Sequence, residues 1–393
     1  MLLQSIQLTN FLSYGPDSIA IPLKNINLII GPNGAGKSNL LEALALMQSA
    51  PGQLSGPIRE GGGVRDWLWK GEKKAIASLE IIVEPVPPAI AVPLRYRFDF
   101  TETGKRFEIV DERIENVSPL QGLPQPYFYY HYENNHPVLN VRVESGGFKK
   151  RNLLREDVDP EKSILAQRRD PDQYPEITCL GERLTQIRLY RDWSLGRYTP
   201  ARLPQPADLS NQWLEDNARN LGLVLNRLKR DMTTKLKLIE MFKAVYSDAQ
   251  DFDVMIEGGT VQIFVQEERF NVPATRLSDG TLRYLCLLAI LFDPAPPPLI
   301  CIDEPELGLH PDLVNHVADA IKFAGQRTQL IITTHSAALV DAFTDDPEAV
   351  LVCEKSQACT TLQRLNEEKL KPWLQKYRLG ALWTSGEIGG NRW

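Results

Sequence analysis

At 393 residues the chain can hold two domains, or one domain with a large insertion, and 43% hydrophobic with 24% charged residues describes an ordinary globular protein. A formal net charge of −6 excludes a uniformly basic coat for nucleic acid but leaves room for a local basic surface. Five scattered cysteines without metal-ligand spacing, no apolar run longer than 284–292, and a start without the features of a signal peptide predict a cytoplasmic protein outside the membrane.

In chain order, residues 3–8 and 18–23 alternate in character and predict two strands, with Asn10-Phe11-Leu12-Ser13-Tyr14 between them. The apolar run Ile26-Asn27-Leu28-Ile29-Ile30 leads into Gly31-Pro32-Asn33-Gly34-Ala35-Gly36-Lys37-Ser38, and a helix opens at Asn39-Leu40-Leu41. Strand, glycine-rich turn, Gly-Lys-Ser and helix make a P-loop. Its glycines let backbone N–H groups curl around phosphates, and the helix N-terminus adds partial positive charge. Lys37 is expected to reach the β- and γ-phosphates, and the Ser38 hydroxyl to ligate Mg²⁺.

Residues 51–75 read as loop, and strand-like pieces at 79–83, 94–100, 107–110, 127–132 and 138–143 predict an antiparallel meander. Residues 144–217 mix charge with polar loops and carry basic clusters at 148–151 and 167–169. A strand or short helix is expected at 182–190. Residues 217–242 have helical spacing over one long helix or two. Their polar face carries Arg219, Arg227, Lys229, Arg230, Lys235 and Lys237. It is read either as a solvated face or as a phosphate contact, with Arg227, Arg230 and Lys237 on one stripe.

Residues 252–268 are strand-like around Gly258-Gly259, and Arg276-Leu277-Ser278-Asp279-Gly280-Thr281 precedes an apolar helix stopped by Asp293-Pro294. A buried strand, 298–302, ends in Asp303-Glu304-Pro305-Glu306, and Pro311 suits the first turn of the next helix. Another buried strand, 329–334, ends in His335-Ser336. A helix to 343 and a strand at 349–353 follow, and the irregular tail holds Trp383 and Trp393.

An apolar strand ending in two acids sets them beside phosphates at its C-terminal edge. Asp303 there suits Mg²⁺, and Glu304 suits the orientation and deprotonation of an attacking water. His335, also just past a buried strand, is a candidate γ-phosphate sensor. Ser278 and the N–H groups after it form a candidate phosphate site at a helix start. Taken singly, these are also a turn, a packed histidine and an N-cap.

Together, in this order, they resemble the ABC-type ATPase head of the branch that includes RecF, the SMC proteins and the OLD nucleases. The resemblance is carried by 1–50 and 270–355. It implies an α/β fold: a P-loop NTPase head with a mostly parallel core sheet, an antiparallel β part and an inserted helical lobe. The expected division is a nucleotide-binding core (1–50 and 270–365), a β-rich part (51–145), an inserted lobe (146–269) and a C-terminal helix and tail (366–393). ATP and Mg²⁺ are the implied cofactors. Gly31, Pro32, Asn33, Gly34, Ala35, Gly36, Lys37, Ser38 and Asn39 would hold the nucleotide. Leu277, Ser278, Asp279 and Gly280 would be the signature, working on the nucleotide of a second copy. Glu306 to His310 looks like the D-loop. Gln167 is the match for the glutamine that senses Mg²⁺ and water, joining Ser38 and Asp303 at the metal and Glu304 and His335 in catalysis. Asp279 and Thr281 depart from the usual Leu-Ser-Gly-Gly-Gln. The absence of long heptads argues against tethering coiled-coil arms.

The implied activity is ATP hydrolysis that switches a head-to-head homodimer. The first expectation for its output is control of a DNA-directed process, repair or anti-phage defence, with a separately encoded nuclease. A stand-alone RecF-like DNA-binding repair ATPase is the alternative, and a transporter's ATPase subunit ranks last.

Overall fold

A computed structural model describes residues 1–72, 75–119, 125–133, 136–142, 148–154 and 157–390. The chain runs through β1 (Leu3–Thr9), β2 (Ile21–Pro22), β3 (Ile26–Ile30), α1 (Lys37–Ser49), α2 (Ser55–Glu60), α3 (Val64–Trp67), β4 (Ala77–Val83), β5 (Leu94–Thr103), β6 (Arg106–Asn116), β7 (Phe128–Glu133), β8 (His136–Arg142), β9 (Phe148–Asn152), α4 (Ile164–Gln167), α5 (Pro175–Thr185) and β10 (Arg188–Tyr190). It continues through β11 (Gln205–Pro206), α6 (Leu221–Leu228), α7 (Met232–Lys243), β12 (Asp251–Glu257), β13 (Thr260–Gln266), β14 (Asn271–Pro273), α8 (Asp279–Leu291), β15 (Leu299–Asp303), α9 (Val314–Gly325), β16 (Gln329–Thr333), α10 (Ala337–Asp341), β17 (Val350–Ser356), β18 (Cys359–Arg364), α11 (Glu367–Leu374) and α12 (Leu379–Thr384). Contacts group the chain into two compact units.

The first unit holds residues 1–24, 31–187 and 352–363. Its main sheet has the order β2-β1-β4-β5-β6-β7-β8-β9, and every pairing is antiparallel. From β4 to β9 this is the meander that the alternating sequence predicts. Leu94, Tyr96 and Phe98 of β5 are buried while Arg95 and Arg97 face out, as a sheet with one wet face requires. The outward arginines are paired, Arg95 to Glu115 at 2.8 Å and Arg97 to Asp99 at 2.8 Å. Beneath the sheet, Phe100 meets Phe107 and Phe11 meets Trp67, with ring centres 5.1 and 5.7 Å apart. Val143 and Trp393, expected in a strand and in the tail, lie outside the described residues.

The second unit holds residues 25–30, 188–351 and the chain from 364 on. Its core is the parallel run β10-β15-β16-β3, in the register Leu189↔Cys301, Asp303↔Thr333 and Thr333↔Ile29. These strands are short and apolar because both faces are covered. The C-terminal ends of β3, β15 and β16 therefore lie at one sheet edge. A smaller antiparallel sheet, β11-β13-β12 with β14 on β13, completes the unit.

Here the structure cuts back one expectation and resolves two that stood open. The lobe at 146–269 is not one separate body, because β10 lies inside that range yet hydrogen-bonds in parallel to β15. Residues 182–190 resolve into the end of α5 and then β10. Residues 217–242 form two helices, since Asp231 starts a new one by accepting the Thr234 N–H at 2.7 Å. The stripe of Arg227, Arg230 and Lys237 is broken at that point. Arg227 is moreover spent on Asp293 and on the carbonyls of Asn211 and Gln212. Lys229 pairs with Asp253 at 3.0 Å, Lys235 pairs with Asp251 at 2.7 Å, and Lys237 covers the Phe323 ring. The basic face is largely neutralised within the fold.

Candidate active site

The first unit carries the P-loop. Gly31 must be glycine, since at φ 150° a Cβ would overlap the Cys353 carbonyl. Gly36, at φ 111°, would drive a Cβ into the hydroxyls of Thr360 and Ser13. Those hydroxyls form a floor under the loop. Thr360 Oγ1 lies 2.6 Å from both the Ala35 carbonyl and Ser13 Oγ, and Tyr14 donates to the Gly36 carbonyl at 3.3 Å. Asn39 is used in the same framework, donating to Ser13 Oγ at 2.6 Å.

Lys37 is 7% exposed, and its ammonium donates to the carbonyls of Gly31 at 2.8 Å and Pro32 at 3.2 Å. Burial pushes the neighbouring Cys353 thiol up to about 12, against the pull of Lys37. Asn33, Gly34 and Ser38 are at least partly exposed. Among the described residues, no side chain caps the start of α1, and no acid stands in its first turn. An uncapped 13-residue helix with a buried ammonium at its start is a donor set that fits a polyphosphate. A cavity of about 490 Å³ opens beside the floor, lined in part by Tyr14, Ile19, Trp69, Cys359 and Thr360.

The second unit carries the acids. Asp303 ends β15 and accepts the hydroxyl of Thr333, its register partner on β16. Glu304 follows at φ 46°, a left-handed conformation that a glutamate rarely adopts. Its N–H donates to the Thr333 carbonyl at 3.1 Å and approaches the Thr333 hydroxyl at 3.2 Å. Its carboxylate lies 3.4 Å from His335 Nε2. Glu306 braces the histidine loop, accepting from Thr334 Oγ1 at 2.5 Å and from the His335 N–H at 3.0 Å. Asp303, Glu304 and His335 are thus brought together on two adjacent strand ends. Hydroxyl and carboxylate oxygens, as at Ser38 and Asp303, are the donor type that Mg²⁺ takes.

The candidate signature segment opens α8. Ser278 is its N-cap, accepting the Thr281 N–H at 3.0 Å, with the two hydroxyls 2.7 Å apart. Leu277 is buried, and Gly280 lies where a Cβ would sit 3.0 Å from the Gly308 carbonyl of the D-loop candidate. Asp279, the departure from glycine, is ion-paired to Arg202. The same guanidinium donates to the carbonyls of Leu195, Ala274 and Leu277. Arg202 therefore pins the segment from inside.

Gln167 ends α4 in the first unit. Its amide is engaged locally, accepting the Asp159 N–H at 2.8 Å and donating to the Lys162 carbonyl at 2.8 Å. Arg168 and Arg169 beside it bind main-chain carbonyls. Sequence reasoning missed Thr333, Ser13, Thr360, Arg202 and Arg283. Arg283 alone left a signal, as the one charge between Asp279 and Asp293 in an apolar helix. Among the described residues, no group of three or more His, Cys, Asp or Glu side chains could hold a metal.

The family described as AAA domain, putative AbiEii toxin, Type IV TA system matches residues 26–341. Structural maintenance of chromosomes protein 1 of Arabidopsis thaliana is 28% identical over 123 residues, which is 30% of this chain and 10% of that protein. The Old nuclease of Escherichia phage P2 is 25% identical over 174 residues, which is 40% of this chain and 29% of that protein. The chain thus spans a minor part of these relatives' length. The Smc head bound to the C-winged helix domain of ScpA superposes with a TM-score of 0.57 at 15% identity, covering 93% of this chain and 99% of that one. The Pyrococcus furiosus Smc head with an extended coiled coil, bound to the C-terminal domain of ScpA, gives 0.57 at 14% identity, covering 95% and 98%. At these identities the likeness concerns the fold, which is that of a P-loop ATPase head. Among the described residues, no helix is long and apolar enough to cross a membrane.

Proposed function

The chain belongs to this AAA-domain family, and from that premise we propose that it is an ATP-hydrolysing switch that pairs head to head on ATP. In this reading Lys37 and the loop N–H groups hold the β- and γ-phosphates. Ser38 and Asp303 hold Mg²⁺, which supplies charge neutralisation at the phosphates. Glu304 orients and deprotonates the attacking water, and His335 holds the Glu304 carboxylate and faces the γ-phosphate. Leu277 to Gly280 act on the nucleotide of the second copy. Gln167 joins the site once its amide leaves Asp159 and Lys162. Residues 1–50 and 270–365, with β10 added, make up the nucleotide-binding core.

The observation that carries this reading is the Glu304–His335 contact beside a buttressed Asp303. Glu304→Gln keeps the shape and loses the base. Turnover should fall roughly 100-fold or more while ATP binding persists, and the ATP-bound dimer should accumulate on size exclusion with light scattering. Wild-type turnover in that variant would falsify the mechanism.

The switch is proposed to govern a DNA-directed process in the cytoplasm with a separately encoded nuclease. Two findings support this: a phage relative bears the name of a nuclease, and a basic cleft lies on the first unit. The cleft, of about 440 Å³, is lined by Lys105, Arg106 and Arg59, the last paired at 3.7 Å to Glu161, the carboxylate among its lining residues. Pull-down of the native protein tests the partner. A co-purifying nuclease supports the reading, and DNA without a nuclease favours a stand-alone repair ATPase.

A further inference from the structure

The second unit holds a cavity of about 380 Å³ beside the acid pair, lined by Arg191, Trp193, Arg283, Asp303 and Glu304 among others. Arg283 enters it from the second turn of α8, five residues after Ser278. It is 6% exposed, and its Nη2 donates to the Glu304 carbonyl at 2.7 Å. Its guanidinium carbon lies 4.9 Å from the centre of the Trp193 ring, which stacks on Tyr190 at the end of β10. Among the described residues, neither Arg283 Nε nor Trp193 Nε1 has a hydrogen-bond partner.

Burying a guanidinium in an apolar helix is expensive, and a methionine or leucine would fill the same space. The position of its one strong bond suggests why a charge is kept there. Glu304 is held at φ 46°, with its N–H fixed by Thr333 and its carbonyl fixed by Arg283, besides the Leu307 N–H of its own turn at 3.1 Å. Two clamps from outside that turn help to hold a strained conformation that aims the carboxylate at His335. One clamp comes from the neighbouring strand. The other comes from the helix whose first residues are the signature segment.

We propose that Arg283 is a positioning residue that ties the signature helix to Glu304 of the same chain. Whatever presses on Ser278–Gly280 moves a rigid helix, and Arg283 delivers that movement to the Glu304 backbone. This rests on the reading of Glu304 as the water-activating group.

The test uses the full chain with Mg-ATP. Arg283→Met keeps the length and removes the donors. Its kcat should fall about ten-fold or more, with the Kd for a fluorescent ATP analogue within about two-fold of wild type. In a Glu304→Gln background, Arg283→Met should cost nothing further, because its effect passes through the lost carboxylate. Arg283→Lys should recover part of the rate. Wild-type kcat in Arg283→Met overturns the proposal, and so do losses that multiply in the double variant. Should Arg283→Met fail to fold, as judged by circular dichroism, Arg283→Lys undergoes the same two comparisons, and a wild-type kcat or multiplying losses there overturn the proposal in the same way. If Glu304→Gln itself turns over at the wild-type rate, the premise falls. If Glu304→Gln is inactive and Arg283→Met is not slowed, only the role of Arg283 falls.

Discussion

Thr333 illustrates how much of the site depends on groups with no catalytic chemistry. Its hydroxyl meets both Asp303 and the Glu304 N–H, and its carbonyl takes the same N–H. A left-handed glutamate costs about 1–3 kcal/mol, which the surrounding bonds must offset. Thr333→Val is close in shape and removes only the hydroxyl, so the fold should persist while kcat falls about ten-fold. An unchanged rate in a steady-state phosphate-release assay would remove Thr333 from the mechanism. A second buried group predicts a pH effect on stability. Glu112 accepts from Tyr96 at 3.0 Å, Ser163 at 2.5 Å and the Ile164 N–H at 2.9 Å, latching the start of α4. Burial pushes its carboxyl up from 4.5 to about 7. The folded chain thus keeps a proton that the unfolded chain has already lost. The stability it contributes is full below about pH 4.5 and is lost as pH rises through 7, roughly 3 kcal/mol in all. Glu112→Gln should flatten that slope, and equal Tm changes between pH 5 and pH 8 in the two proteins would refute it. Glu304, Asp303 and His335 were legible in the sequence because each ends an apolar run. Thr333 was not, because its role comes from sitting opposite Asp303 on another strand.

Among elements, α8 carries the most. Its start is fixed by Arg202, which holds three carbonyls as well as Asp279. Arg202→Met leaves those carbonyls without this donor, at a cost of about 2–4 kcal/mol. Asp279→Gly gives up one ion pair, whose acid is 66% exposed, and the acid in the first turn of α8, and should cost less, about 1 kcal/mol. Urea midpoints that rank the two variants the other way would contradict this account of the pinned segment. The sequence-level oddity at Asp279 thereby acquires a local reason. Strand and helix positions were largely legible because apolar period and turn residues are local signals. The charge pattern at 217–242 left two readings open, since helical spacing carries no record of Asp231 restarting the helix or of Asp293 waiting for Arg227. Arg227→Glu is accordingly expected to lower the urea midpoint, through loss of a nearly buried pair, more than to report on phosphate binding.

For the whole molecule, the basic cleft moves the DNA prediction to the first unit. Lys105→Glu/Arg106→Glu should weaken binding to duplex DNA and flatten its salt dependence, by about 0.9 in slope for each phosphate no longer neutralised. Equal slopes for variant and wild type would clear this cleft of any role. In the proposed function one chain does not finish its own site. In the proposed dimer, Lys37 holds a nucleotide that Ser278 of the other copy completes, so Lys37→Ala and Ser278→Arg should each be inactive alone. Random mixing makes about half of all dimers hybrid, and each hybrid pairs one intact P-loop with one intact signature. About a quarter of the wild-type rate should then return, provided the two sites of a dimer work independently. If they must act together, nothing returns, so a second readout is needed. Hybrid dimers should still trap a single ATP when Glu304→Gln is added to both parents, whereas neither parent alone should trap any. Hybrids shown by mass to have formed, yet holding no nucleotide, would mean that Ser278 does not act across the interface.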